Sequence, residues 1–267
     1  MQNLRPRYII ILFLLGITPP QIYAKSPELA AENAGKGGTN ASASQLAAIV
    51  IADTNADTAS INLVNSILTE MFNKNKDLAF LDSAFPGVQA AIRESLQAPL
   101  KKEVSRVNVE YRKDLAALYE GSLAEGDIRR TIEFYQSPAG VALLEGLQQS
   151  MNLSNVTSEF AAEKNASAEA LAKDQSVAGV RAMYSLSPAH RDDVIAFFSS
   201  PPGKNLAALN DKKMAIDLKW SNYLSPEAEA EVAQAVQKAI VAHVAKTDPK
   251  AAEAMRIAME EDAKASK

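Results

Sequence analysis

The chain has 267 residues, of which 47% are hydrophobic, only 6% aromatic and none cysteine, and its formal charge is −4. That length admits one large domain or two small ones, and few aromatics beside abundant Ala favour helices packed through small side chains over a β-sandwich. The acid excess leaves no electrostatic footprint for nucleic acid or an anionic membrane. The lack of Cys excludes disulfides, thiol catalysis, Cys-ligated zinc and lipoprotein acylation.

The N-terminus reads as a signal peptide over residues 1–24. Arg5 and Arg7 form a basic start, residues 8–17 form a short apolar run, Pro19 and Pro20 break it, and Ala24 offers a small residue for cleavage. The run is too short to span the ~30 Å hydrocarbon core as a helix. Residues 25–43 are rich in Gly, Ser, Ala and Asn without periodicity and read as a flexible linker. Gly35-Lys36-Gly37-Gly38-Thr39 lacks the spacing and the preceding strand of a phosphate loop.

From residue 44 the period is helical. Val64, Ile67, Leu68, Met71 and Phe72 make one apolar stripe, and Val104, Val107, Tyr111, Leu115 and Leu118 make another. Opposite the second stripe stand Lys102, Arg106, Glu110, Arg112 and Asp114, which read as a solvated helix face. Pro86 and Pro99 mark helix starts or a kink. Leu206, Leu209, Lys213, Ile216, Trp220 and Tyr223 fit one stripe of a long helix. Ser225-Pro226 and Asp248-Pro249 each pair an N-cap with Pro at the first helical position, where the missing N–H costs nothing. The main helical domain is thus expected over 44–247, with a C-terminal helix and frayed polar tail over 248–267.

Segments 122–151 and 185–214 match at an offset of 63. The clearest block is Phe134-Tyr135-Gln136-Ser137-Pro138-Ala139-Gly140 against Phe197-Phe198-Ser199-Ser200-Pro201-Pro202-Gly203. Physically, a helix stops at the aromatic pair, Ser137 or Ser200 caps the next helix, and Pro138 or Pro201 occupies its first position. Gly140 or Gly203 then lets the preceding helix approach closely. Two copies are too few for a solenoid, so a duplicated helical hairpin within one domain is expected. An anion nest at the S-P-x-G helix start is the functional alternative, but capping accounts for every residue of it.

The block Phe134 to Gly140, with Glu125 and Asp127 upstream, is similar to the exported bacterial domain of unknown function 2059. The resemblance implies an all-helical protein with a signal peptide and supplies no catalytic residues. It covers roughly residues 115–151 and, more loosely, 183–214. The first copy has Ala124 where the family has a hydroxyl cap; the second keeps Ser187-Pro188 but places His190 at an acidic position and Pro202 inside S-P-x-G.

The two histidines assemble no metal set: His190 and Asp193 supply two ligands where zinc wants three or four. His190-Arg191-Asp192 spells a kinase tripeptide without any other kinase element, and His243 reads as a partly buried or surface residue. No hydrolase elbow or zincin motif occurs. The expectation is an all-α bundle of helical hairpins with an internal duplication, periplasmic, non-enzymatic and binding an envelope protein as adaptor, assembly factor or chaperone-like module. It has no cofactor, no metal, no nucleic-acid partner and no stable membrane insertion after cleavage. The alternative is a small-ligand or lipid carrier with an apolar pocket between helices. The sequence leaves the oligomeric state open.

Overall fold

The computed structural model describes residues 41–51, 56–162 and 164–265. The expected signal peptide and most of the expected linker therefore lie outside the described residues. All regular structure among the described residues is α-helical: α1 (Ala41–Val50), α2 (Ala56–Lys74), α3 (Lys76–Ala84), α4 (Val88–Ser122), α5 (Glu125–Gln136), α6 (Pro138–Ser150) and α7 (Ser154–Ala161). Then follow α8 (Ala168–Ser185), α9 (Pro188–Ser199), α10 (Pro201–Ala207), α11 (Asn210–Ser221), α12 (Pro226–Val244) and α13 (Pro249–Ala265).

Local chemistry starts these helices. Ser137, Ser167, Ser187 and Ser225 each accept a backbone N–H of the first turn, at 3.1–3.2 Å, and Asp248 accepts from the Ala251 N–H. Asn75 caps α3 through the N–H groups of Asp77 and Leu78. Gly87 supports the start of α4 at φ +94°, a left-handed conformation that L side chains rarely adopt. The His243 ring packs against it and hydrogen-bonds the Pro86 carbonyl at 3.0 Å.

The 35-residue α4 is the axis of the molecule. At 1.5 Å per residue it is about 52 Å long, and Pro99 sits inside it. Its first half shares a core with α2, α3, α12 and α13, built on Val88, Ile92, Leu96 and Leu100 against Val232, Val236 and Ile240. Its second half enters a larger core, where Val107, Tyr111, Leu115 and Tyr119 meet α1, α5, α6 and the segments from α8 to α11. A third, smaller cluster joins Ile67 to Phe160 and Leu171.

Four sequence expectations are corrected. Helix α1 begins at Ala41, inside the expected linker, because Ala43 is fully buried together with Leu46 and Ala47. The expected long helix through Leu206 and Tyr223 is two, α10 and α11; a tight turn in which the Leu209 N–H donates to the Leu206 carbonyl separates them, and Tyr223 lies beyond α11. The C-terminal helix continues through the expected frayed tail to Ala265, with Ala252, Met255 and Met259 packed on the α12 core. The charged face of α4 is exposed as expected at Lys102 and Arg106 but is drawn into contacts with other segments at Arg112 and Asp114. Arg112 donates twice to the Ile51 carbonyl, Lys102 pairs with Glu231, and Asp114 accepts from Lys219 and the Trp220 indole.

Candidate functional site

The expected elbows meet each other in the interior. Helix α5 packs on α10 and α6 on α9, so each hairpin's first helix lies on the other's second. At the crossing, the rings of Phe134 and Phe197 stack in parallel at 3.9 Å, with Phe198 edge-on to both. Tyr135 is buried beside them, and burial pushes its phenol well above its ordinary range.

The glycines explain the elbow shape. A Cβ on Gly140 would run into the Phe134 carbonyl and lie 2.6 Å from the Tyr135 Cα; on Gly203 it would run into the Phe197 carbonyl and lie 2.7 Å from the Phe198 Cα. Both obstacles are backbone, which cannot move aside as a side-chain tip can. Pro138 and Pro201 stand at the first helical position. Ser137 caps as expected, and also donates to the Phe134 carbonyl. Ser200 departs from expectation: it donates to the Phe197 carbonyl but makes no cap bond to α10. Pro202 removes one of the two N–H groups such a cap would serve. With Ala139, Gly140, Pro202 and Gly203 buried, the elbows hold helices together and present no open anion nest.

A second constellation went unnoticed in the sequence. Asp217 of α11 is completely buried and accepts four hydrogen bonds: from the Tyr111 hydroxyl at 2.5 Å, twice from the Lys213 ammonium at 2.8 Å, and from the Gln175 amide at 3.0 Å. The hub ties α11 to α4 and α8. Burial pushes the Lys213 ammonium below its ordinary range, and the Asp217 carboxylate opposes that shift. The nearby Tyr119 phenol is pushed well up by its burial, and the Asp217 carboxylate adds to the shift. The available signal was Lys213 and Asp217 at i, i+4 on a stripe that is otherwise apolar.

Two further buried carboxylates serve helix ends. Asp174 of α8 accepts from the Asn155 and Val156 N–H groups and from the Asn155 amide, closing the start of α7. Glu103 of α4 accepts from the Ser225 N–H and hydroxyl and from both arms of Arg106. Burial alone would raise Glu103, but Arg106 and Ser225 hold its carboxyl below the usual range.

Among the described residues no three His, Asp or Glu side chains come together as a metal-binding group. Two open grooves lie between α4 and α12, one lined by Pro99, Lys102, Glu231 and Lys238, the other by Glu94, Ser95, His243 and Lys246. No helix among the described residues is long and apolar enough to cross a membrane.

The surface feature that stands apart is on α8. Val177, Val180 and Tyr184 fall at i, i+3 and i+7, hence on one face, and are 41%, 49% and 77% exposed. Apart from the resemblance stated above, residues 110–168, which span the end of α4 through α7, match the family model described as an uncharacterized protein conserved in bacteria, DUF2059. No curated protein and no solved structure matches the chain.

Proposed function

We propose that the chain is a non-enzymatic protein-binding module of the bacterial envelope, exported by the signal peptide read in residues 1–24, and that its contact face is the outer side of α8. One observation carries this reading: a helix otherwise packed against α6, α7 and α11 turns Val177, Val180 and Tyr184 to solvent. Contiguous exposed apolar side chains on a folded surface mark interaction sites more often than scattered single ones do. The polar hub at Asp217 is buried, and its carboxylate is taken up by Tyr111, Gln175 and Lys213. A carrier of lipids or small apolar ligands would draw support from an enclosed apolar cavity, whereas the grooves along α4 and α12 are open and flanked by Lys and Glu.

A photo-crosslinking amino acid in place of Tyr184 tests the reading in living cells. Position 184 should yield defined protein adducts, and the same group at the exposed Lys113 of α4 should not. Val180→Asp should remove the adducts while leaving the helical circular dichroism spectrum unchanged. Equal labelling from both positions, or none from 184, would overturn the assignment. Recovery of intact protein that retains residues 1–24 would overturn the export half of it.

A further inference from the structure

We infer that the occupant of the α8 face is α8 of a second copy of this chain, packed antiparallel. The inference rests on the protein-binding reading above and gives it a partner. The exposed side of α8 carries Glu169, Ala172, Lys173, Ser176, Val177, Val180, Arg181 and Tyr184 in turn. Acid stands at its start and base near its end, with Lys173 and small or branched residues between. The side chains of Glu169, Lys173 and Arg181 form no hydrogen bond or ion pair among the described residues. Their charges are therefore uncommitted within the monomer.

A face that is acidic at one end and basic at the other is complementary to itself when turned about a two-fold axis across the helix. With the axis beside Ser176 and Val177, Glu169 of each copy comes level with Tyr184 of the other, and Arg181 comes level with Ala172, one helical turn from Glu169 and within reach of its carboxylate. There the carboxylate can accept from a guanidinium and a phenol. Ser176 at the centre allows close backbone approach, and Val177 and Val180 supply the apolar contact. Lys173 comes level with Val180 of the other copy, where its methylene stem covers the valine while the ammonium stays in water.

The helix that leads into the first matched hairpin argues that this stripe is not required for folding. When the offset of 63 is carried upstream of the matched segments, Val177, Val180 and Tyr184 fall opposite Asp114, Ala117 and Gly121 of α4. Asp114 is engaged by Lys219 and Trp220, and Ala117 and Gly121 offer little apolar surface. The same helix position thus folds without an apolar stripe in one half and displays one in the other. A single antiparallel helix pair is smaller than the ~1,600 Å² of a standard stable interface, so the association is weak and concentration-dependent.

Sedimentation equilibrium of the purified protein across the micromolar range is the test. The expected result is a monomer–dimer equilibrium. Val180→Asp should weaken it by about 30-fold or more, and Arg181→Glu alone by about tenfold. The double variant Glu169→Arg, Arg181→Glu should regain most of the loss, because the swapped charges face each other again. A dimer indifferent to Val180→Asp, or one that the charge swap fails to restore, would overturn the antiparallel α8 pairing. A strict monomer would overturn it as well. If that monomer still crosslinks another protein through position 184, the protein-binding reading stands with a different partner; a monomer that crosslinks nothing loses both.

Discussion

The two matched hairpins, α5–α6 and α9–α10, share one elbow and differ in almost everything around it. Helix α5 buries Ile128, Thr131, Ile132, Phe134 and Tyr135, whereas α9 buries only Val194 and Phe198. At the position of Ile128 stands Arg191, whose guanidinium reaches the carbonyls of Met183 and Leu186; at the position of Ile132 stands the half-exposed Ile195. Helix α1 lies on α5, covering the first pair, and no described helix packs likewise on α9. The caps are exchanged too: Ala124 leaves α5 uncapped where Ser187 caps α9, and Ser137 caps α6 where Ser200 leaves α10 uncapped. What the hairpins keep is the contact between a glycine and a helix-terminal carbonyl, together with the stacked phenylalanines. Sterics at that point admit no substitute, whereas caps and buried faces can be exchanged for one another.

The largest expected effect lies outside the elbows, at the hub that binds the second half of the chain to α4. Lys213→Met leaves the Asp217 carboxylate buried without its cation and should cost about 3–5 kcal/mol, read as a lower urea midpoint. Lys213→Met with Asp217→Leu should recover a good part of that, because an apolar pair of similar volume replaces the charges. A single variant as stable as the parent would show that the hub contributes nothing to joining the two halves.

The comparison itself is sharpened by placing Ala at each elbow glycine. Gly140→Ala drives a methyl into backbone within the better-buried hairpin and should cost about 3 kcal/mol; Gly203→Ala should cost about 2 kcal/mol, since α9 and α10 are less enclosed and can shift. Thermal or urea unfolding of the two variants decides it. A larger loss at Gly203 would reverse the ranking of the hairpins.

The smallest effect separates the caps. Ser137→Ala removes a formed cap bond and should cost about 1 kcal/mol. Ser200→Ala removes only the hydroxyl's bond to the Phe197 carbonyl and should cost about half that. Equal losses in denaturant titration would mean that the Gly140 N–H bond to Ser137 adds nothing to the stability of α6.

Much of this was legible in the residues themselves. The helical class follows from composition and period, and the helix starts at Pro138, Pro188, Pro201, Pro226 and Pro249 follow from Ser or Asp before Pro. The elbow glycines follow from the spacing of Phe, Ser, Pro and Gly. The stripe of Ile67, Leu68 and Phe72 is buried as its period implies. The α4 charges misled because a periodic charged face looks alike whether it meets water or another helix. Arg112 finds the Ile51 carbonyl 61 residues away, and Asp114 finds Trp220 106 residues away.

By itself, the sequence determined the features set by neighbours a few residues apart: helix periods, proline starts, serine caps and the two close-approach elbows. Short-range sterics and hydrogen bonding act there whatever the rest of the chain does. Only the tertiary structure decided that Lys213, Asp217, Tyr111 and Gln175 converge, that α4 carries two cores, and that Val177, Val180 and Tyr184 remain outside while the apolar faces of α5 and α6 are covered. Those outcomes depend on which helix faces which. The apolar period of a single helix does not encode that choice, because any helix with a complementary surface can satisfy it.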